Sequence, residues 1–303
     1  MQYSKSYHGK WILCGEHSVT RGKSAITIPF NQKKCQFYYH KNASDLTVDY
    51  RGVDATEMGQ QLNKMVDKTL EALGHNKQTV SGELTIDNDI PIGVGFGFSA
   101  VWSVGFAELF IELGLLESTD IQSVAHQIEN LFHNNNSSGL DVAGVLSPSA
   151  LHYSPGQRNQ PFESTWTPHI YIQDISQKSL TEIAIQHVQK VRQENPAKSA
   201  YIDDTMQKSV DLAIIGLQLE DHKEALILLK ESMRLSNECY EEWGLITPDT
   251  RKAMNHLRTL GALTTRVSGK GLGGIIIGLW PHKLDQQTID KHKLYHGFNF
   301  SGG

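Results

Sequence analysis

Four short stretches of this chain hold residue types that do chemistry at close quarters. PIGVGFGFSA, residues 91–100, opens at Pro91, alternates Gly93, Gly95 and Gly97 with larger residues, and ends in Ser99-Ala100 where a helical pattern begins. Glycines there let the backbone turn sharply and expose consecutive N–H groups, and a helix N-terminus adds its positive end, so a phosphate is the natural guest. A tight strand-to-helix turn with no ligand accounts for the same residues equally well. GKWILCGEHSVTRGKSAI, residues 9–26, puts Lys10 at the head of a strand and Glu16-His17-Ser18 on the turn that follows it. Taken singly, those three are ordinary loop polarity. HNNNSSGLDVAG, residues 133–144, sets Asp141 just after a turn and just before an apolar resumption, where an isolated aspartate reads as a helix N-cap. TTRVSGKGLGGIIIGL, residues 264–279, carries a second glycine-rich loop with Gly269, Gly271, Gly273 and Gly274 running into an apolar strand. On its own it is a tight connection.

The elements that must position these residues are visible in the apolar pattern. KWILCG, SAITIPF, KCQFYYH, DLTVDY and ELTIDNDI read as strands by their β-branched and aromatic content. Residues 55–74 read as a helix, with Met58, Leu62, Met65, Val66, Leu70 and Leu73 at three- and four-residue steps and Gly74 to end it. The apolar run after the glycine loop is too long for a strand and predicts a buried helix from about Ser99. Residues 120–133 predict another, with Val124, Ile128, Leu131 and Phe132 on one face. Later, HIYIQDI reads as a strand, and 179–193, 203–219 and 221–236 as helices. Thr247-Pro248 reads as an N-cap followed by proline at the first helical position. Strands come early and helices dominate later, which favours an α+β fold over a regular βαβ array. Pro155, Gly156, Pro161 and Pro168 mark 154–168 as the candidate boundary between two domains, 1–167 and 168–303.

Composition narrows the class. The chain has 303 residues, 39% of them hydrophobic and 20% charged, with a formal net charge of −5, so it has neither the basic balance nor a Lys/Arg block of a nucleic-acid binder. Its three cysteines, Cys14, Cys35 and Cys239, are widely spaced and form no metal-ligand spacing, which predicts buried free thiols in a reducing compartment. The opening MQYSKSYHGK lacks the apolar run of a signal peptide, and no apolar run is long enough for a bilayer; a cytoplasmic protein without membrane partners is expected. GxxxxGK[ST], HExxH and GxSxG are absent, and GVGFGF does not follow the βαβ start that a dinucleotide fingerprint needs.

In order and spacing the four stretches together resemble the GHMP kinases, the superfamily of galactokinase, homoserine kinase, mevalonate kinase and phosphomevalonate kinase, through most of the chain. GKWILCGEHSVTRGKSAI is similar to the opening found in mevalonate kinases, PIGVGFGFSA to the superfamily's phosphate loop P-x-G-x-G-L-G-S-S-A, GLDVAG to the segment of its catalytic aspartate, and SGKGLGG to its third motif. The resemblance implies two α+β domains, an N-terminal one like domain 2 of ribosomal protein S5 and a ferredoxin-like C-terminal one, with the site in the cleft between them. It implies ATP and Mg²⁺ as cofactors, a small-molecule alcohol as substrate, and a homodimer. By the same resemblance Asp141 is the base that accepts the substrate's hydroxyl proton, and Lys10 assists by keeping that carboxylate ionised. Glu16 and His17 would hold the acceptor. Pro91, Gly93, Gly95, Gly97, Ser99 and Ala100 would wrap the nucleotide phosphates, with Gly269, Gly271 and Gly273 closing near them. Ser99 and Glu129 would ligate Mg²⁺.

The GEHSV turn favours phosphorylation of mevalonate to 5-phosphomevalonate. The alternatives are another small alcohol, phosphomevalonate or sugar as acceptor, or a nucleotide-binding homologue with weakened catalysis. Departures from the pattern bear on that choice. Phe98 stands where the family usually has a serine, and Phe96 where it has leucine. HNNNSSGLD is one residue longer than usual, which puts Glu129 twelve residues before Asp141, and an extra residue in the Asn134–Asn136 turn would leave Glu129 in place. Arg266, Lys270 and Leu272 replace a lysine, a small residue and a glycine. Lys270 reads as an added phosphate contact or as a solvated loop lysine. KSLT, residues 178–181, is too blurred a version of the usual R-x-T to be given a role.

Overall fold

The computed structural model describes residues 2–117, 120–133, 135–177 and 180–298. Asn134 of the asparagine turn, Lys178 and Ser179 of the KSLT segment, and the side chain of Met58 lie outside the described residues. The chain divides into two compact units that interleave along the sequence: 1–9, 31–92 and 97–146 make the first, and 10–30, 93–96 and 147–303 the second.

The first unit contains the start of β1 (Gln2–Cys14), most of β2 (Ala25–Asp45), β3 (Thr47–Gly52), α1 (Ala55–Ala72), β4 (Ser81–Asn88), α2 (Phe98–Glu112), α3 (Ile121–Asn130) and α4 (Leu140–Leu146). β4 lies between a parallel neighbour, β3, with Thr47 opposite Glu83, and an antiparallel one, β2, with Cys35 opposite Asn88. Its alternation buries Gly82, Leu84, Ile86 and Asn88 on one face, as a period of two requires. SAITIPF and KCQFYYH, expected as two strands, are one continuous β2. Pro29 falls between the stretch paired with β4 (35–45) and the stretch 25–27, which pairs in the second unit, so its missing N–H interrupts neither ladder. α1 ends as its sequence predicts: Gly74 takes φ +78°, its N–H donates to Glu71 O, and the His75 N–H to Leu70 O. The largely apolar run of α2 has a direct cause, since Ala100, Val101, Trp102, Val104, Phe106 and Ala107 are all fully buried, and its exposed polar surface is confined to Ser99, Glu108 and Glu112. Within that helix Gly105 sits against the Phe37 ring, where a Cβ would lie 2.5 Å from the nearest ring carbon.

The second unit holds the end of β1, the start of β2, a 3₁₀ turn (Ser18–Arg21), β5 (Ala150–Tyr153), β6 (Gln160–Phe162), β7 (His169–Asp174), α5 (Thr181–Glu194), α6 (Pro196–Gln218), α7 (His222–Glu242), α8 (Pro248–Thr259), β8 (Thr264–Ser268), β9 (Ile275–Trp280), α9 (Gln286–Lys291) and β10 (Leu294–His296). Its sheet runs β10-β7-β9-β8, every pair antiparallel, with helices between β7 and β8 and again between β9 and β10. That is the split β-α-β arrangement of a ferredoxin-like fold. α6 and α7 form a hairpin closed by two reciprocal bonds: Ser209 Oγ donates to Ser232 O at 2.8 Å and Ser232 Oγ to Ser209 O at 2.7 Å. α6 starts seven residues earlier than expected, because Asn195 caps it by accepting from the Lys198 N–H at 3.0 Å and Pro196 occupies the first turn. α7 runs past 236 to Glu242, burying Cys239 and Tyr240 on its last turns. Trp11 Nε1 donates to Gly297 O at 2.9 Å, and its ring meets Phe298 edge-on at 5.7 Å.

The cysteines are free and buried, and burial pushes the Cys14 thiol up to about 12, which makes it inert at neutral pH. Among the described residues no helix is long and apolar enough to cross a membrane. Gly105→Ala should destabilise the first unit by about 1–3 kcal/mol, the usual cost of an overpacked core, read as a lower urea midpoint with little change in slope.

Candidate active site

In the second unit the two glycine-rich loops lie side by side. Gly93 and Gly95 take φ +82° and +110°, and Gly97, which begins the return to the first unit, +83°. These are conformations that glycine enters without strain. A Cβ on Gly274 would lie 2.7 Å from Val94 O, and one on Gly269 would lie 3.5 Å from the Gly95 Cα. Part of the glycine content therefore serves backbone-to-backbone approach as well as exposure of N–H groups. Lys10 is 2% exposed; its N–H donates to Phe96 O at 2.9 Å and its Nζ to Gly95 O at 3.4 Å. Phe96 stacks on Phe30 with ring centroids 4.4 Å apart, so the larger side chain at this position is absorbed by packing.

Glu16 and His17, expected at the acceptor, are held in a buried polar network of the same unit. Glu16 Oε1 accepts from Arg266 Nη2 at 2.7 Å and from the Gly269 N–H at 3.1 Å. Arg266 also donates to Leu13 O, and Tyr240 donates its hydroxyl to Gly269 O. Both backbone groups of Gly269 are thus held by side chains. Burial opposes the charge on Arg266, but Glu16 and then Tyr240 outweigh it and raise the guanidinium above its ordinary value. Tyr240 lies under that guanidinium at 5.2 Å, and its phenol is raised well above the usual range, by burial first and then by Glu16. Glu16 Oε2 is buried with no hydrogen-bond partner among the described residues.

His17 has φ +59° and its Nε2 lies 3.0 Å from Lys270 O. A carbonyl oxygen only accepts, so Nε2 carries the proton and Nδ1 is an acceptor. Burial, and after it the charge of Lys270, lowers this imidazole to about 3, so it is neutral in the physiological range. The turn is pinned from below by Asp203, which accepts from Ser18 Oγ at 2.6 Å and from Arg21 Nε at 2.6 Å.

In the first unit the residues expected to meet magnesium form one cluster. Ser99 Oγ is 3.3 Å from His133 Nε2, which is 4.0 Å from Glu129 Oε1, and Ser137 Oγ donates to Glu129 Oε2. Ser137 Oγ in turn accepts from the Gly139 N–H at 3.1 Å, and Asn130 Oδ1 from the Ser137 N–H at 3.0 Å. His133 and Ser137 were read from sequence only as parts of a polar turn. The one available signal was His133 four residues beyond Glu129, where helical or near-helical spacing brings side chains together. Glu129 lies on α3 next to its last residue, and in the turn beyond it Asn135 takes φ +60°. Asp141 does not cap α4: it is the second residue inside it, in the first turn, where the helix dipole favours negative charge. Phe98 points its bulk into the core, with its ring 6.0 Å from Trp102.

These residues fit a magnesium nucleotide. α2 begins at Gly97 with no side-chain cap and no acidic residue in its first turn, which leaves its N–H groups to an anion. No group of three or more His, Cys, Asp or Glu able to hold an ion occurs among the described residues. Glu129 with Ser99 is the donor set that magnesium takes when phosphate oxygens complete its shell.

Residues 61–148, which contain the 91–100 glycine loop, Glu129 and Asp141, match the family model described as the GHMP kinases N terminal domain. The chain belongs to the GHMP kinase superfamily. It is a small-molecule phosphotransferase with an alcohol group as acceptor. This GHMP kinase is 27% identical to the mevalonate kinase of Thermococcus gammatolerans over 309 residues, which cover 94% of the chain and 91% of that protein. Its fold matches that of L. major mevalonate kinase in complex with R-mevalonate, with a TM-score of 0.77 at 21% identity over 96% of this chain and 90% of that one. Lactococcus lactis galactokinase complexed with galactose gives 0.73 at 14% identity over 93% and 86%.

Glu16→Gln should cost about 3–5 kcal/mol of stability, because it leaves the Arg266 charge buried without its counter-ion, and Glu16→Gln with Arg266→Met should regain part of that loss in the same urea titration. His17 binds a proton near 6.5 in the unfolded chain and only near 3 in the fold, so its contribution to stability is complete above pH 6.5 and is lost as pH falls towards 3. His17→Gln should flatten the stability–pH curve in that window.

Proposed function

We propose that this GHMP kinase phosphorylates mevalonate to 5-phosphomevalonate at the expense of ATP. The observation that carries the reading is the GEHSV turn, Gly15–Val19, held as a built and buried structure in a chain whose relatives at 25–27% identity over about nine-tenths of its length are mevalonate kinases.

Magnesium-bound ATP, when present, supplies the phosphoryl group and a cation that offsets its charge. The chain's own residues position and neutralise, which is most of what phosphoryl transfer asks of a protein. Residues 91–100 wrap the phosphates with backbone N–H groups at the uncapped start of α2. Ser99 and Glu129 offer oxygens to the cation, with His133 and Ser137 fixing their orientation. Asp141 would take the proton of the acceptor hydroxyl as that oxygen bonds to the γ-phosphorus of ATP and the bond from that phosphorus to the bridging oxygen breaks, releasing ADP. Lys10, anchored through Phe96 O and Gly95 O, supplies positive charge to the reacting groups. His17, neutral, accepts a hydrogen bond from an acceptor hydroxyl through Nδ1. The burial of Phe98 against Trp102 counts against the weakened-homologue reading, since the bulk of this side chain goes to the core.

A coupled ADP-release assay with Mg-ATP, offered mevalonate, phosphomevalonate, galactose and homoserine in parallel, tests the reading; turnover on mevalonate is expected, and turnover confined to another acceptor would overturn the substrate while leaving the chemistry. Asp141→Asn and Lys10→Met should each lower kcat by about a hundredfold or more with the melting temperature retained, the usual scale for losing a proton acceptor or a charge aimed at the transition state. Full activity in either variant removes that residue from the mechanism.

A further inference from the structure

Three cations surround the His17 turn, and two of them are already matched. Arg21 is paired with Asp203 through two hydrogen bonds, and Arg266 with Glu16. Among the described residues no carboxylate lies within ion-pair distance of Lys270, the residue that stands in the third glycine loop where the family pattern has a small one. Lys270 is half-buried, and its backbone carbonyl lies 3.0 Å from His17 Nε2, so the residue adjoins the His17 imidazole. The root of this side chain is fixed. Its own carbonyl accepts from His17 Nε2, the preceding Gly269 is held by Glu16 and Tyr240, and the Leu272 N–H donates to Leu245 O at 2.9 Å. A half-buried ammonium on a rigid mount, without a counter-ion, costs free energy that an incoming anion recovers.

Resting on the mevalonate-type reading of this same site, we propose that Lys270 is a specificity determinant that binds an anionic group of the acceptor, a carboxylate or phosphate, while His17, whose Nε2 is held by the Lys270 carbonyl, takes an acceptor hydroxyl through Nδ1. The division of labour follows from the charges. A neutral imidazole whose free nitrogen is a lone pair repels a carboxylate oxygen and welcomes an O–H donor. Arg21 and Arg266 are spent on their own carboxylates. Of the three cations around the His17 turn, Lys270 is the one with no carboxylate ion pair among the described residues. The same residue explains a choice among acceptors, because an uncharged sugar or diol would leave the ammonium unsatisfied and lose affinity for that reason.

The test compares mevalonate with 3-methylpentane-1,3,5-triol, which keeps the primary hydroxyl and replaces the carboxylate by an alcohol. In the parent protein mevalonate should be strongly preferred. Lys270→Met should raise the KM for mevalonate about ten- to hundredfold, the worth of one charge-assisted hydrogen bond, and shrink the preference over the triol by the same factor. The KM for Mg-ATP should stay where it is, and Lys270→Arg should restore most of the preference. An unchanged mevalonate KM in Lys270→Met, or a rise in the Mg-ATP KM instead, overturns the proposal, the second outcome making Lys270 a nucleotide contact. If the parent protein ignores mevalonate but turns over another alcohol bearing a carboxylate or phosphate, the same pair of measurements on that acceptor and its neutral counterpart upholds Lys270 while the mevalonate assignment falls. If only uncharged acceptors are turned over, both fall.

Discussion

The second unit is organised around one buried ion pair. Glu16 and Arg266 are 250 residues apart in sequence, both nearly inaccessible to water, and joined at 2.7 Å. Taking two charges out of water costs several kcal/mol, and their attraction recovers that only with good geometry and further hydrogen bonds. Those bonds are present and each has a structural consequence. Arg266 reaches the end of β1 at Leu13 O, Glu16 holds the Gly269 N–H, and Tyr240 under the guanidinium holds Gly269 O. A loop of glycines has no side chains with which to fix itself. Here the fixing is done by residues of the Glu16 turn and of α7, so the first and third motifs are set relative to each other by electrostatics.

The glycine-rich loops have a second constraint beyond any ligand. Val94 O and Gly274 approach so closely that a methyl group at 274 has no room, and the turn at Gly271 is similarly crowded by Leu245. Flexibility in isolation and rigidity in place are compatible. Glycine permits backbone angles other residues avoid, and the neighbouring backbone then leaves a single way to adopt them. That is the condition under which a row of N–H groups is pre-organised for charge.

Much of this was legible in sequence, because local rules and local structure agree. Thr247-Pro248 begins α8 with Thr247 accepting from the Thr250 N–H, and the largely apolar run after residue 99 is the buried α2. The four motifs identified the superfamily. What was not legible is long-range or masked by polarity. No spacing rule connects Glu16 to Arg266. HNNNSSG reads as turn formers, and only the fold turns its histidine and one of its serines onto Glu129. SAITIPF and KCQFYYH read as two strands, and only the pairing on either side of Pro29 shows them as one. Asn195-Pro196, by contrast, was a readable helix start that the apolar periodicity of the following residues obscured.

The bond from Trp11 to Gly297 links nearly the two ends of the described chain. A ribosome delivers residue 11 well before residue 297, so this tryptophan waits for its acceptor while the chain between them, a separation of 286 positions, is made. The sheet of the second unit gains its edge strand only when β10 has emerged, since β10 pairs with β7 and Gly297 donates to Ile170 O. The first unit, whose residues all lie before 147, can be complete by then. Such wide sequence separation makes folding slow and leaves apolar surface exposed during translation. The second unit therefore finishes later than the first, and β10 matters more to its completion than three residues of strand suggest.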